Sequence, residues 1–149
     1  MIKLFSILFM LFTASQCVHL QHEKNTQWTL FHPTDKNIQY VGNIDYSDSL
    51  HLVLLEPGVQ IRTGFKGTSL DMMATLHSGY FMVEIDGGEP FKVSFLANTV
   101  VRLASDLPDS THQAVVTFIE GCEGHNTEFH GFFVDKGKTL APATPAPKH

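Results

Sequence analysis

Cysteine is scarce in this chain, which has only two among its 149 residues, Cys17 and Cys122. Small secreted folds held together by disulfides need several cysteine pairs, so that class of protein is excluded. Cys122 lies in a turn-like Gly-Cys-Glu-Gly sequence and has an acidic neighbour, whereas activated cysteines have cationic ones. We therefore interpret Cys122 as an inert or half-buried thiol.

Positive charge is also in short supply, since 10 Lys and Arg stand against 15 Asp and Glu. Removing residues 1–17, which contain one Lys, gives a net charge of 9 − 15 = −6 with neutral His. Proteins that bind nucleic acid or anionic membranes present basic surfaces. Neither is therefore expected as a partner, and the acidic surface is typical of a soluble secreted domain.

Long apolar runs are missing except at the N-terminus, where residues 4–12 follow Lys3. A positive residue, an apolar stretch and then small residues are typical of a secretory signal peptide, which we assign to residues 1–17. The run is too short for a membrane span, so none is predicted. Lipid attachment at Cys17 is disfavoured by Gln16, because such sites need a small residue there. We expect an extracellular protein, or a periplasmic one.

The rest of the chain lacks the 3.6-residue apolar periodicity of amphipathic helices and shows two-residue alternation instead. The sequence Asp86-Gly-Gly between two alternating runs predicts a β-hairpin, because glycine accepts the positive φ of tight turns. A later run places Phe129, Gly131 and Phe133 on one face. Eight or nine such strands predict an all-β fold, an antiparallel β-sandwich of the jelly-roll type.

Composition also predicts the domain boundaries. Residues 18–36 form an N-terminal lead segment, 37–137 the jelly-roll domain and 138–149 a Pro-rich linker. Prolines remove backbone donors and favour extended conformers, so we expect the linker to be a semi-rigid spacer leading to a second domain.

The motifs for serine hydrolysis are incomplete. Asp109 and His112 have the Asp-x-x-His spacing of the acid and base of SGNH-type esterases. No Gly-Asp-Ser block and no Gly-x-Ser-x-Gly elbow accompanies them in the sequence. We therefore predict no catalytic residue and interpret the pair as a turn followed by a strand-initiating His.

A second group of chemically versatile residues comprises Glu123, His125, Glu128 and His130. His and Glu are good zinc ligands, but their spacing here matches no standard zinc pattern. No metal site and no cofactor are therefore predicted. The alternative is a weak metal site at His125, Glu128 and His130, which would serve a metal-assisted hydrolase.

Aromatic residues offer a different kind of site. Sugar-binding sandwiches stack the apolar faces of sugars on exposed Trp or Tyr rings, with polar side chains nearby to bind the hydroxyls. Most of the 12 Phe occupy alternating inner positions and are assigned to the core. Trp28, Tyr46 and Tyr80 remain as candidate carbohydrate-binding residues, with Trp28 the first choice.

With these residues placed, the chain resembles the N-terminal domain of carbohydrate esterase family 2 from about residue 37 to residue 137. The blocks that carry the resemblance are Gln39-Tyr-Val-Gly-Asn-Ile-Asp45, Glu56-Pro-Gly58, Thr63-Gly-Phe-Lys-Gly-Thr-Ser69, Phe81-Met-Val-Glu-Ile-Asp-Gly87, Leu107-Pro-Asp-Ser-Thr-His112 and Phe129-His-Gly-Phe132. No block is decisive alone, but their order and spacing together are fairly specific.

The resemblance implies a jelly roll that packs against a following SGNH-type hydrolase domain. Members of this family remove acetyl groups from plant polysaccharides such as xylan and mannan. Their catalytic Ser and His belong to the second domain, so none is carried over to this chain. The family's linker into that domain looks like the Pro-rich segment here, and the Asp109–His112 pair falls on a block of the jelly roll itself.

Two functional hypotheses follow. In the first, the chain is a secreted, non-catalytic accessory domain that contacts plant cell-wall polysaccharide or a protein partner. In the second, it is the non-catalytic half of an acetyl esterase whose SGNH hydrolase domain is on a separate chain or has been lost by truncation.

Overall fold

The computed structural model describes residues 27–146 and folds them into two antiparallel β-sheets with the apolar core between them. The predicted signal peptide lies outside the described residues. No α-helix occurs within 27–146, so no helix in this part of the chain could cross a membrane. The all-β sandwich predicted from the two-residue alternation is confirmed, with twelve strands because several short edge strands add to the expected eight or nine.

The strands are β1 (Trp28–Phe31), β2 (Gln39–Val41), β3 (Ile44–Asp45), β4 (Leu52–Leu54), β5 (Gln60–Gly67), β6 (Leu70–Ala74), β7 (Tyr80–Ile85), β8 (Phe91–Ser94), β9 (Val100–Ala104), β10 (Ser110–Glu120), β11 (Thr127–Asp135) and β12 (Leu140–Ala141).

Each sheet has six strands, built around the long strand β11 in sheet A and around the long pair β5 and β10 in sheet B. Sheet A has the order β3-β4-β11-β6-β9, and β1 pairs with β11 beyond the end of β4. Sheet B has the order β12-β5-β10-β7-β8, and β2 pairs with β5 beyond the end of β12. The predicted hairpin around Asp86 is confirmed as β7–β8, with Val83 opposite Phe91. Asp86 itself has a φ of 53°, and Gly87 follows with 69°.

The core consists of the inward-facing side chains of both sheets. Five phenylalanines have no exposed surface: Phe65, Phe81, Phe95, Phe129 and Phe132. Phe81 and Phe95 meet edge to face with ring centroids 5.6 Å apart, as do Phe129 and Phe132 at 4.9 Å. Burying such side chains contributes roughly 1.5–3 kcal/mol each, which makes disulfides unnecessary.

The predicted alternation in β11 is wrong at Phe133. A β-bulge between Phe129 and Gly131 shifts the register against β6, so Phe132 and Val134 face the core and Phe133 is only half-buried. Gly131 has a φ of 127°, and a Cβ on it would lie 2.3 Å from the carbonyl oxygen of Phe31 in β1. Glycine is therefore required there by both conformation and space.

The sandwich extends beyond the predicted 37–137 boundaries at both ends. Within the lead segment, β1 pairs with β11, Trp28 lying opposite Asp135. Within the predicted linker, β12 pairs with β5, Leu140 lying opposite Phe65. Leu140 is buried, so the linker begins inside the fold rather than after it.

Candidate functional site

His112 is the only buried histidine among residues 27–146, and its environment decides whether it could be a catalytic base. Its partner is Asp86 rather than Asp109: Nδ1 lies 2.6 Å from Asp86 Oδ2. Its Nε2 lies 2.7 Å from the carbonyl oxygen of Pro108 and 3.3 Å from the hydroxyl of Ser110. This order of Ser, His and Asp resembles a catalytic triad only superficially.

Both ring nitrogens of His112 lie within hydrogen-bond distance of acceptor oxygens, one of Asp86 and one of Pro108. Burial disfavours the imidazolium, but the hydrogen bonds to Pro108 and Asp86 outweigh it and raise the pKa of His112. Burial likewise opposes ionisation of Asp86, yet the N–H of Gln113 and the His112 ring hold the pKa of that carboxyl below its usual range. In its protonated form the ring donates both N–H groups, to Asp86 and to Pro108, and leaves neither nitrogen open to a substrate. The ring instead joins the turn at Asp86 to the turn at Pro108.

The His and Glu residues of the candidate metal site fall into two separate groups. On the outer face of sheet A, the Thr75 hydroxyl donates to Glu128 Oε2 at 2.7 Å and lies 2.9 Å from His130 Nε2. The His130 ring is 4.2 Å from that of His51. Burial and the charge of His51 together lower the pKa of His130.

His125 instead stacks on His77, with ring centroids 4.6 Å apart. Across the 120 residues from 27 to 146, no three His, Cys, Asp or Glu side chains come together in a way that could hold a metal ion.

The three aromatic candidates lie at different places on the sandwich. Trp28 is 50% exposed at one end of β11. Tyr46 is 57% exposed and follows β3 near the other end of β11, which at 3.3 Å per residue places it on the order of 20 Å from Trp28. Tyr80 belongs to sheet B, and Lys92 Nζ lies 4.4 Å above the centre of its ring. The structure therefore does not bring them together into one platform.

Trp28 borders an open cleft of about 470 Å³. The polar side chains of the cleft include Arg102 from the middle of β9, Asp106 from the loop after it and Asp135 from the end of β11. The Arg102 guanidinium forms a bidentate pair with Asp71. Its Nε donates to Oδ1 at 2.8 Å, and its Nη2 donates to Oδ2 at 3.3 Å.

Asp135 accepts three hydrogen bonds at the floor of this cleft. They come from the hydroxyl of Ser69 and from the N–H and hydroxyl of Thr68, the latter two at 2.6 Å and 2.8 Å. Burial opposes ionisation, but these donors and the charge of Arg102 hold the pKa of Asp135 below its usual range. The cleft thus combines an apolar ring with a fixed cation and two carboxylates. Of these residues only Trp28 is recognisable from the sequence, because its neighbours in the cleft come from strands far apart in the chain.

A second cleft, of about 730 Å³, lies on the outer face of sheet B. Gln60 and Arg62 of β5, Glu84 of β7 and Gln113 of β10 line it, and the C-terminal segment around Thr144 closes one side. No sequence motif marks this cleft either. The one available signal was Gly64, a glycine at an outward-facing position inside a strand, where it often marks a close backbone approach.

Comparison with known proteins supports the resemblance drawn from the sequence. A family model described as "Carbohydrate esterase 2 N-terminal" matches residues 40–145. Since this is more than half of the chain, the protein belongs to that family. No curated protein sequence gives a significant match.

Solved structures agree. A family two carbohydrate esterase from Cellvibrio japonicus is similar with a TM-score of 0.65 and 19% identity, over 83% of this chain and 37% of that one. The family two esterase from Clostridium thermocellum, in complex with cellohexaose, has a TM-score of 0.60 and 26% identity, over 74% of this chain and 34% of that one. A family 2 enzyme from Corynascus thermopiles has a TM-score of 0.57 and 27% identity, over 74% of this chain and 33% of that one. The chain thus spans only about a third of the length of these enzymes.

Proposed function

We propose that this member of the carbohydrate esterase 2 N-terminal family is a secreted, non-catalytic accessory domain that contacts plant cell-wall polysaccharide. The observation that carries the proposal is the half-exposed Trp28 beside a cleft with Arg102 and Asp106. A pyranose presents an apolar face that stacks on an indole ring, while its hydroxyls accept from guanidinium and donate to carboxylate groups.

The polar groups of the cleft are ordered before any ligand arrives. The bidentate pair with Asp71 fixes the plane of the Arg102 guanidinium, and Asp135 is fixed by its donors from Thr68 and Ser69. Side chains that are already ordered lose less conformational entropy on binding. This favours the Trp28 cleft over a ring that stands alone.

The other two aromatic candidates play lesser parts in the proposal. Tyr46 is exposed and could serve a separate contact along a long polysaccharide, but its ring packs against that of Tyr40 in a T-shaped arrangement, with ring centroids 6.0 Å apart. Tyr80 carries Lys92 over one face of its ring, so a sugar would have to displace that ammonium group.

Linear β-linked glycans are the ligands to test. The esterase from Clostridium thermocellum was solved with cellohexaose, and a two-domain esterase active on acetylated mannans with mannopentaose, at 13% identity to this chain. We propose xylan, mannan or cellulose chains for the Trp28 cleft by analogy. Secretion through the N-terminal leader and a role in polysaccharide deacetylation belong to the same proposal.

Affinity electrophoresis and calorimetry with xylohexaose, mannohexaose and cellohexaose test the proposal. We expect binding to at least one glycan, and a loss of at least tenfold, or about 1.4 kcal/mol, in Trp28→Ala. Leu55→Ala removes a comparably exposed apolar side chain elsewhere and is the matched control. Absence of retardation by every glycan, or equal binding by Trp28→Ala, would refute the carbohydrate contact.

The proposal that the chain is non-catalytic has a separate test. The purified chain should hydrolyse 4-nitrophenyl acetate and acetylated xylan no faster than buffer does. Turnover that disappears in His125→Ala or His130→Ala would instead support the metal-assisted alternative.

A second candidate function is that of a non-catalytic half in an acetyl esterase. It is favoured by the coverage, since the chain matches 37% of the Cellvibrio japonicus enzyme. In this version a SGNH-type hydrolase domain is the partner. Adding a separately produced hydrolase domain should then raise its deacetylation of xylan, and an unchanged rate with no complex on size-exclusion chromatography would refute it.

A further inference from the structure

Two side chain positions of β5 that face away from the core are nevertheless buried. Alternation places Arg62 and Gly64 on the outer face of sheet B, yet Arg62 is only 8% exposed. Residues 142–146, which we call the strap, lie over this face: Thr144 accepts a hydrogen bond from Arg62, and Ala146 borders the cleft of sheet B. The strap accounts for the burial of both positions.

Strand pairing explains why the chain crosses the sheet at this point. β12 pairs with the edge of β5 only at Leu140 and Ala141. The next place along that edge is occupied by β2, whose Gln39 lies opposite Arg62. Pro142 has no N–H with which to continue the ladder. The chain therefore leaves the edge and passes over the outer face.

Gly64 provides the space for this crossing. A Cβ at this position would lie 2.7 Å from the carbonyl oxygen of Pro142 and 2.9 Å from that of Ala141. Both contacts are to backbone atoms and are shorter than real Cβ contacts, and Gln113 Nε2 would lie 2.8 Å away, so a side chain at residue 64 would displace the strap together with Gln113. Glycine inside a strand commonly marks such a close approach of another backbone.

Two long side chains then bind the strap by its backbone. The Gln113 amide donates from Nε2 to Pro142 O at 3.2 Å and accepts from Thr144 N at 2.9 Å through Oε1. Arg62 donates from Nε to Thr144 O at 3.3 Å and from Nη1 to Gln60 Oε1 at 3.1 Å. Pairing an amide side chain with both a carbonyl and an N–H reproduces what a neighbouring β-strand would offer.

We propose that the outer face of sheet B over β5 and β10 is a docking site for an extended, proline-containing peptide, and that its occupant is this chain's own residues 142–146. The site selects an extended backbone through Gly64, Gln113 and Arg62, and it is independent of the proposed carbohydrate contact. The docked strap forms one wall of the 730 Å³ cleft.

Hydrogen exchange of the Thr144 amide in the full chain tests this directly, since its N–H donates to Gln113. We expect protection in the wild type and exchange roughly fivefold faster in Gln113→Ala, because one such hydrogen bond is worth about 1 kcal/mol. Gly64→Ala should accelerate exchange further, because it displaces the strap at Pro142. Thr117→Ala, on the same face of β10, is the matched control and should leave Thr144 unchanged.

The other possible results of these experiments each overturn one part of the proposal. Thr144 exchanging at the unprotected rate in the wild type, or equally in Gln113→Ala and the control, overturns the docking site. Protection that rises with protein concentration, together with a dimer on size-exclusion chromatography, overturns the intramolecular occupant in favour of a second copy. Thermal unfolding of each variant separates loss of the strap from loss of the fold, and Gln113→Ala alone suffices if Gly64→Ala fails to fold.

Discussion

Replacing His112 by Ala should destabilise the domain by an amount that depends on pH. The ring is 95% buried and makes hydrogen bonds to Asp86 at 2.6 Å and to Pro108 at 2.7 Å. A hydrogen bond to a charged group is worth about 1.5–3 kcal/mol and a neutral one about 0.5–1.5 kcal/mol. The lower end applies to the first bond because the Asp86 side chain is 46% exposed. When the lost packing against Phe65 is added, we expect His112→Ala to lower the unfolding free energy by about 3 kcal/mol in total at acidic pH.

The direction of the pH effect follows from the raised pKa of His112. A group whose pKa is higher in the folded state stabilises fully below its unfolded pKa, which is about 6.5 for histidine. That contribution is lost as pH rises through the folded pKa. The difference in unfolding free energy between wild type and His112→Ala should therefore be larger at about pH 6 than at about pH 9.

Urea denaturation at a series of pH values measures this difference. His32→Ala, which removes an exposed histidine, is the matched control and should change the unfolding free energy by less than about 0.5 kcal/mol. Nuclear magnetic resonance titration of the ring adds a direct readout. A difference that grows with pH, or a His112 ring that titrates below the ordinary range, would refute the assignment of a doubly donating imidazolium.

Two further predictions concern sheet A. Gly131→Ala should destabilise by about 2–4 kcal/mol, because it combines a φ of 127° with a Cβ only 2.3 Å from Phe31 O, and hydrogen exchange should show that β1 loosens first. His130, whose pKa is lowered, should titrate below ordinary histidines by nuclear magnetic resonance, and its contribution to stability should fall as pH drops below about 6.5. His51→Ala should raise that pKa, and an unchanged value would refute the charge effect.

Much of the sandwich is predictable from local sequence because each strand hides one face. The β7–β8 hairpin illustrates this, since alternation on both sides of Asp86-Gly-Gly fixes which residues pair. The prediction fails at Gly131, where one extra residue in a bulge reverses the faces that follow. A bulge depends on the neighbouring strand, here on the close approach of Phe31, which alternation cannot reveal.

The site was less predictable because its contacts join distant strands. Spacing in the sequence pairs His112 with Asp109, three residues away. In the structure, Asp109 Oδ2 accepts a hydrogen bond from Lys138 Nζ at 3.2 Å. His112 instead pairs with Asp86, which the register of β10 with β7 brings close to it. Of the cleft beside Trp28, only the ring carried a recognisable signal; its cation and carboxylates come together through pairing of β1, β6, β9 and β11.

Adjacent residues of β10 serve opposite sides of sheet B. His112 points into the core and bonds Asp86, while Gln113 points outward and holds the strap. The backbone N–H of Gln113 also donates to Asp86, at 2.8 Å. One carboxylate therefore anchors the inner ring and the strand position that carries the strap's amide partner. The turn after β7 therefore does not only join two strands. Through Asp86 it also fixes the geometry of β10, on which the outer face of sheet B depends.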